Sequence, residues 1–209
     1  MSVSQSKINA IRLVGGLSVL DFLNTCDGRR PGTGLTAVVD KLSCLEDILH
    51  WYLHARLIGT DEHRGFSRLA EQSTLQQVSA FRQLIDFREA LYQLLLPVAL
   101  GNGVDERLLE ALNEQLVKTA PERVLIATPF GVIWHWRACD SLPAMTASLI
   151  GRVAVQAAAL LTGPDLLRLK ACAAPNCDWL FVDLSKNGRR RWCQMNVCGS
   201  REKARRWGA

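Results

Sequence analysis

The chain has 209 residues, 48% hydrophobic and 22% charged, which excludes a mostly disordered polypeptide. Its 15 Gly and 7 Pro exclude collagen-like or low-complexity character. The formal charge is +5, yet from Asp165 onward there are ten Lys and Arg against four Asp and Glu, so the positive excess sits wholly at the C-terminal end.

A basic tail on a near-neutral body suits a polyanion partner, of which nucleic acid is the commonest in cytoplasm. No apolar run approaches the roughly 18 residues of a membrane span. The start, MSVSQSKINAIRLVGG, lacks a signal-peptide pattern. The expectation is a cytoplasmic protein without a membrane partner. Seven Cys are too few for a secreted disulfide scaffold of this length.

Taken in chain order, residues 11–27 form a short apolar run ending in LDFLNT. Asp21 and Asn24 interrupt it and are expected to bond locally, capping a helix or pinning the next loop; the alternative is part of an effector pocket. The loop at 28–34, GRRPGTG, is expected to leave Arg29 and Arg30 solvated. Ser43 and Glu46 have capping-box spacing. Behind them Leu45, Ile48, Leu49, Tyr52 and Leu53 recur at helical intervals up to a stop at Gly59. Thr60 opens a second helix to about Gln72. A long helix over 74–100 carries Leu75, Val78, Phe81, Leu84, Ile85, Arg88, Leu91 and Leu95, with Pro97 and the GNG at 101–103 ending it. Asp105 caps a helix bearing Leu108, Leu109, Leu112 and Leu116, and Pro121 stops it. The pattern then turns β-rich at 124–127 and 132–136, a single hairpin. Ser141 opens an alanine-rich helix that Gly163-Pro164 terminates. A domain boundary is placed there: residues 1–164 as a helical domain, 165–209 as a small second unit.

Four cysteines dominate the second unit. Cys172-x4-Cys177 and Cys193-x4-Cys198 are two short pairs separated by a hairpin-length insert. That is the arithmetic of a four-thiolate zinc site, each pair turning two sulfurs toward one point. Four thiolates saturate tetrahedral zinc, so the ion is expected to be structural and to supply folding energy to a unit too small for its own core. Between the pairs, WLFVDLS reads as a strand, KNG as a turn and RRRW as the return strand; GSREKARRW reads as a helix. This order is that of a treble-clef-like finger. Lys186, Arg189, Arg190 and Arg191 fall on the insert, and Arg201, Lys203, Arg205 and Arg206 on the helix. Held by one metal, these eight bases are positioned to track a phosphate backbone.

Other candidates carry less. His50 and His54 are four apart but lack the Glu of H-E-x-x-H, and no metal role is expected. His135, flanked by Trp134 and Trp136, is expected at an exposed strand position. Cys26, Cys44 and Cys139 have no partner spacing and are expected as small hydrophobes. Trp179 and Trp192 are expected in the finger's small core, and Trp207 exposed. No nucleophile elbow or phosphate loop is present, so no catalytic residue is assigned and the chain is not expected to be an enzyme.

The stretch RLKACAAPNCDWLFVDLSKNGRRRWCQMNVCGSREKARR closely resembles the CGNR zinc-finger family. The matching residues are Trp179, Leu180, Phe181, Asp183, Ser185, Asn187, Arg190, Arg191, Trp192, Cys193, Met195, Cys198, Gly199, Arg201 and Lys203; Ser200 stands where the family has Asn. LDFLNT, FREALYQLL and LLTGPDLLRLK make the first part similar to the ABATE domain that usually precedes this finger. The resemblance implies a stress-induced transcription regulator whose finger binds double-stranded DNA. The expectation is thus a mainly α protein: a multihelical N-terminal domain with one β-hairpin, then a treble-clef-like four-cysteine zinc finger. The helical domain would sense a small-molecule effector, form a homodimer, or both. The competing reading is a small-molecule-binding or protein-interaction protein in which the zinc module is purely structural.

Overall fold

Side chains at the helix starts satisfy amides that the helix itself leaves unpaired. The Ser73 hydroxyl accepts from the Gln76 amide at 3.4 Å, the Asp105 carboxylate from the Arg107 amide at 2.9 Å, and the Ser141 hydroxyl from the Ala144 amide at 3.5 Å. A computed structural model describes residues 3–30 and 37–207, without the side chains of Val3, Ser4 and Arg206. The 31–34 part of the glycine-containing loop lies outside the described residues. The elements are α1 (Val3–Asn9), α2 (Ser18–Leu23), β1 (Cys26–Asp27), β2 (Val39–Asp40), α3 (Leu45–His54), α4 (Thr60–Ala70), α5 (Thr74–Ala99), α6 (Glu106–Thr119), β3 (Arg123–Thr128), β4 (Gly131–Trp136), α7 (Leu142–Thr162), β5 (Leu169–Ala171), β6 (Leu180–Val182) and α8 (Ser200–Trp207). The protein is mainly helical, with the strands in three antiparallel two-stranded pairs: β1–β2, β3–β4 and β5–β6.

Several boundaries differ from the sequence reading for local reasons. The Ser43–Glu46 capping box does not form. Cys44 occupies the N-cap, and the amide and hydroxyl of Ser43 donate to Asp47, one residue further on, at 2.7 and 2.6 Å. Helix α3 ends at His54 because Arg56 takes a left-handed φ of 58°. Gly59 is therefore not its stop but the N-cap of α4, where its amide donates to Glu62 at 3.1 Å. Pro97 sits inside the last turn of α5, and the Asn102 amide closes that turn onto the Pro97 carbonyl at 2.9 Å. Leu75 and Val78 follow the helical repeat of α5 yet are exposed, since they precede the part that meets the core.

The core gathers Phe22 from α2, Trp51 and Tyr52 from α3, Leu84, Leu91 and Leu95 from α5, and Leu149, Val153 and Ala157 from α7. The ring centroids of Phe22 and Trp51 lie 5.0 Å apart, and the Tyr52 hydroxyl donates to the Leu149 carbonyl at 2.9 Å. Helix α7 corrects the expectation that no run nears membrane length: it spans 21 residues, most of them apolar. By length and composition alone it is long and apolar enough to cross a membrane. Here most of it is buried inside the protein, and Arg152 within it pairs with Glu62 of α4 at 2.5 Å and donates to the Leu57 carbonyl at 2.6 Å. It is the central helix, and its small residues let neighbours approach.

At Gly151 this closeness is tightest. A Cβ there would lie 2.6 Å from the Trp136 indole and 2.8 Å from Thr119 Cβ. Gly151→Ala is expected to displace the root of the β3–β4 hairpin and to cost about 1–3 kcal/mol of stability, read as a lower urea midpoint at unchanged slope.

Candidate metal centre

The four cysteines arrive each from its own local device. Strand β5 delivers Cys172, whose amide donates to the Trp179 carbonyl at 2.8 Å, and a tight turn brings Cys177 back as its amide reaches the Ala174 carbonyl at 3.2 Å. The return segment lies across this turn, with the Ala173 amide on the Arg191 carbonyl at 3.0 Å and the Cys193 amide on Cys172 Sγ at 3.4 Å. A wide turn over Met195–Gly199 then leads through Cys198 into α8. One detail departs from the sequence reading: β6 pairs backward with β5, in register Ala171 with Leu180, rather than forward with RRRW. The return segment bonds instead to side chains and isolated amides.

All four sulfurs are buried and lie within 4.8 Å of one another. The Cys177–Cys193 and Cys193–Cys198 sulfur separations are 3.7 and 3.6 Å, as expected for sulfurs about 2.3 Å from a common tetrahedral centre. Hydrogen bonds from Cys177, Cys193 and Cys198 pull the Cys172 thiol strongly down, and the bonds to Cys172 push Cys177 and Cys193 up. Four sulfurs this close thus favour losing protons to a shared cation over keeping four separate thiols. The donor set fits one structural zinc ion, held by Cys172, Cys177, Cys193 and Cys198. Bound zinc supplies charge neutralisation and four cross-links where the local apolar core is small.

Around this centre the side chains are committed. Asp183 is fully buried. Desolvation pushes its carboxyl up, but the Lys170 ammonium at 2.7 Å, the Ser185 hydroxyl and amide, and the Arg190 amide at 2.8 Å outweigh it and hold it well below the usual carboxylate range. The Arg190 guanidinium donates to the carbonyls of Trp192, Val14 and Cys193 and stacks 4.3 Å from the Phe181 centroid. Arg201 donates to Cys198 Sγ at 3.2 Å, and Arg205 pairs with Glu202. Lys186, Arg189, Arg191 and Lys203 are exposed, with Arg191 lying over Trp192. The side chain of Arg206 lies outside the described set. Trp179 and Trp192 pack against the cysteine cluster, and Trp207 is 90% exposed.

The finger is bolted to the helical body by the LDFLNT segment. The Asn24 side-chain amide donates to the Leu180 carbonyl at 2.9 Å, and its oxygen accepts from the Leu180 amide at 2.9 Å. The Val182 amide reaches the Gly15 carbonyl at 2.8 Å, and Trp179 Nε1 donates to Asp27. Asp21 stays local, accepting from the Gly15 amide at 2.7 Å. Asn24 caps α2 through its backbone amide, which donates to the Leu20 carbonyl at 2.9 Å, while its side chain bonds 156 residues away. Arg29 is not solvated either. Its backbone amide donates to Asp178 at 2.8 Å, while its guanidinium pairs with Glu89, donates to the Leu23 and Cys26 carbonyls and lies 3.8 Å over Tyr92. Arg30 reaches the Cys172 carbonyl at 3.2 Å. Leu169, Leu180 and Val182 of the finger belong to the main core.

The CGNR zinc-finger family model matches residues 168–209, and the ABATE model, described as a putative stress-induced transcription regulator, matches residues 16–164. The chain belongs to the ABATE family and carries a CGNR zinc finger. No curated protein matches the chain.

The remaining candidates sort simply. His54 Nε2 bonds the Ile11 carbonyl at 2.8 Å, and His50 faces Glu46 on one side and His63 on the other, so the two histidines share no ligand point. His135 is exposed on β4. Cys26 is buried, and desolvation pushes its thiol up to about 11; burial likewise raises Cys139, while Cys44 is exposed. Sequence reasoning missed Arg29, Asp27 and Asp178 as the clamp. The one available signal was polar Asn24 at the end of an apolar run.

Cys198→Ser is expected to abolish stoichiometric zinc in the purified chain, measured by metal analysis. The same variant should retain most helical circular dichroism but melt earlier, because β5 and β6 supply core residues. Asn24→Ala leaves both Leu180 backbone groups buried without partners, and is expected to cost about 2–4 kcal/mol in urea unfolding.

Proposed function

We propose that this protein is a zinc-dependent DNA-binding transcription regulator acting in the cytoplasm, with no catalytic role. The observation that carries this reading is the placement of Lys186, Arg189, Arg191 and Lys203. All four are exposed, and all stand on segments fixed by the same four-cysteine cluster. A rigid set of cations meets successive phosphates without first losing much loop entropy. The family's description as a stress-induced regulator supports the same reading. Arg201 and Arg205, assigned to DNA from the sequence, also hold the zinc ligand Cys198 and Glu202. Arg190 supports the surface from beneath.

In this proposal the helical domain senses a small effector or joins two copies. A cavity of about 260 Å³ at the seam between the β1–β2 pair and the finger is lined by Asp27, Val39, Trp179 and Arg201 together with the zinc ligands Cys177, Cys193 and Cys198, so an effector held there would lie directly against the metal centre. The second reading, a purely structural zinc module on a small-molecule or protein-interaction domain, is favoured by one observation: the finger is clamped to the body through Asn24, Asp27 and Arg29.

Fluorescence anisotropy of the zinc-loaded chain with a duplex pool, at two salt concentrations, separates the readings. DNA binding should fall steeply with salt and vanish in Cys198→Ser. Lys186→Ala and Arg189→Ala should each weaken binding alike on all sequences and reduce the salt slope by about 1. Absence of binding at low salt would favour the structural-module reading.

A further inference from the structure

The β3–β4 hairpin stands away from the body with its apolar side chains uncovered. Its root is held, Trp136 packing on α7 at Gly151 and Arg123 lying over Trp134 and Trp136. Beyond the root one face and the tip are open. Phe130 at the tip is 100% exposed, Val132 65%, Leu125 59% and Trp134 59%. Leu125 stands opposite Trp134, and Ala127 opposite Val132. These four side chains therefore share one face of the pair, because alternate residues point to the same side.

The backbone of β4 is equally uncovered. The Arg137 amide donates to the Glu122 carbonyl at 2.8 Å, which sets the phase of the ladder. Given the register Val124 with His135 and Ile126 with Ile133, these are the pairs that exchange bonds. The amide and carbonyl groups of Val132 and Trp134 point away from β3. Among the described residues no third strand pairs with either edge. An exposed edge is ordinarily blunted by Lys, Pro or a bulge. Strand β4, GVIWHW, has none of these and keeps an unbroken six-residue register. Strand β3 differs: it follows Pro121 and begins with Arg123. An isolated two-stranded ribbon of this kind is marginal in water and gains from a third and fourth strand.

We infer that β4 pairs edge to edge with β4 of a second copy of this chain, making a four-stranded antiparallel sheet about a two-fold axis. The occupant is a second copy for two reasons. An uncharged strand pairing with itself about a two-fold matches each outward donor with an outward acceptor, and this closes the assembly instead of propagating it. The apolar side chains are also placed for it: Val132 and Trp134, 65% and 59% exposed on one face of β4, come beside their own counterparts across the new strand pair, where aromatic and β-branched side chains favour each other. The inference is independent of DNA binding, because its test contains no DNA.

The test is sedimentation equilibrium of the full zinc-loaded chain over a range of concentrations. The wild type is expected to dimerise. Trp134→Lys removes apolar area and places a charge on the edge. Val132→Pro removes an outward amide without touching the β3–β4 ladder. Both are expected to be monomers with unchanged zinc content and helical circular dichroism. Hydrogen exchange on the wild type gives a reading that needs no variant: the Val132 and Trp134 amides should be protected at dimeric concentrations and exchange freely on dilution. A wild type that stays monomeric throughout overturns the inference. So does a dimer in which those two amides remain unprotected, or one that survives in both folded variants.

Discussion

Among the described residues strand β6 has one strand beside it, and the amide of Asn24 takes the place of the other. That single side chain answers both backbone groups of Leu180, and the Gly15 carbonyl answers the amide of Val182. Without them a buried strand edge would face the helical body with unpaired donors and acceptors, at a cost of about 1–3 kcal/mol for each group. The zinc centre depends on this contact. Cys172 and Cys177 hang on the β5–β6 turn, and the turn is held where it is because β6 is docked. Two coupled restraints therefore fix the finger: the four-cysteine cluster at one end and a side-chain surrogate for a strand at the other.

The rest of the seam follows the rule that buried charge must be matched. Arg29 is met by Glu89, Asp178 and two carbonyls. Arg88, 1% exposed, is met by Asp40, Thr25 and Glu89. Asp183 is met by Lys170, Ser185 and Arg190. Such pairs add little net stability over apolar packing, but removing one partner strands the other. Of the three, Arg29 with Asp178 joins finger to body and helps set how the two meet, while Arg88 and Asp183 are matched within the body and within the finger. Gly28 serves the same end: at φ +88° its backbone passes so close to Ala37 that any Cβ would overlap that carbonyl.

Much of this was legible in the sequence because the signals were local. Caps at Asp105 and Ser141, the breaker at Gly163-Pro164, the β-rich hairpin and the paired cysteines each act within a few residues of themselves. The errors share a cause. Asp47 outcompeted Glu46 for Ser43 because its shorter side chain reaches both the amide and the hydroxyl. Strand β6 chose β5 because LKA lies directly before the first cysteine, whereas RRRW spends its groups on Asp183 and on turns. Arg88 falls in the apolar repeat of α5 and is buried there; periodicity shows the position but not the acid on a distant strand that makes an arginine acceptable. Asn24 was visible as an oddity, but its partner lies too far along the chain for pattern to find.

That distance has a consequence for how the molecule is made. The contacts that seat the finger join residues near the start of the chain to residues near its end, among the longest closures this sequence permits, and loop closure precedes any reward from such contacts. As the polypeptide leaves the ribosome, LDFLNT emerges first and waits, its apolar side chains and unanswered amide turned toward a surface not yet synthesised. The helices can assemble in the meantime, but the last strand of the structure cannot be laid until the cysteines appear. A chain broken off before Cys172 would lack β6, α8 and all four cysteines of the cluster, and would still carry an open slot beside Asn24.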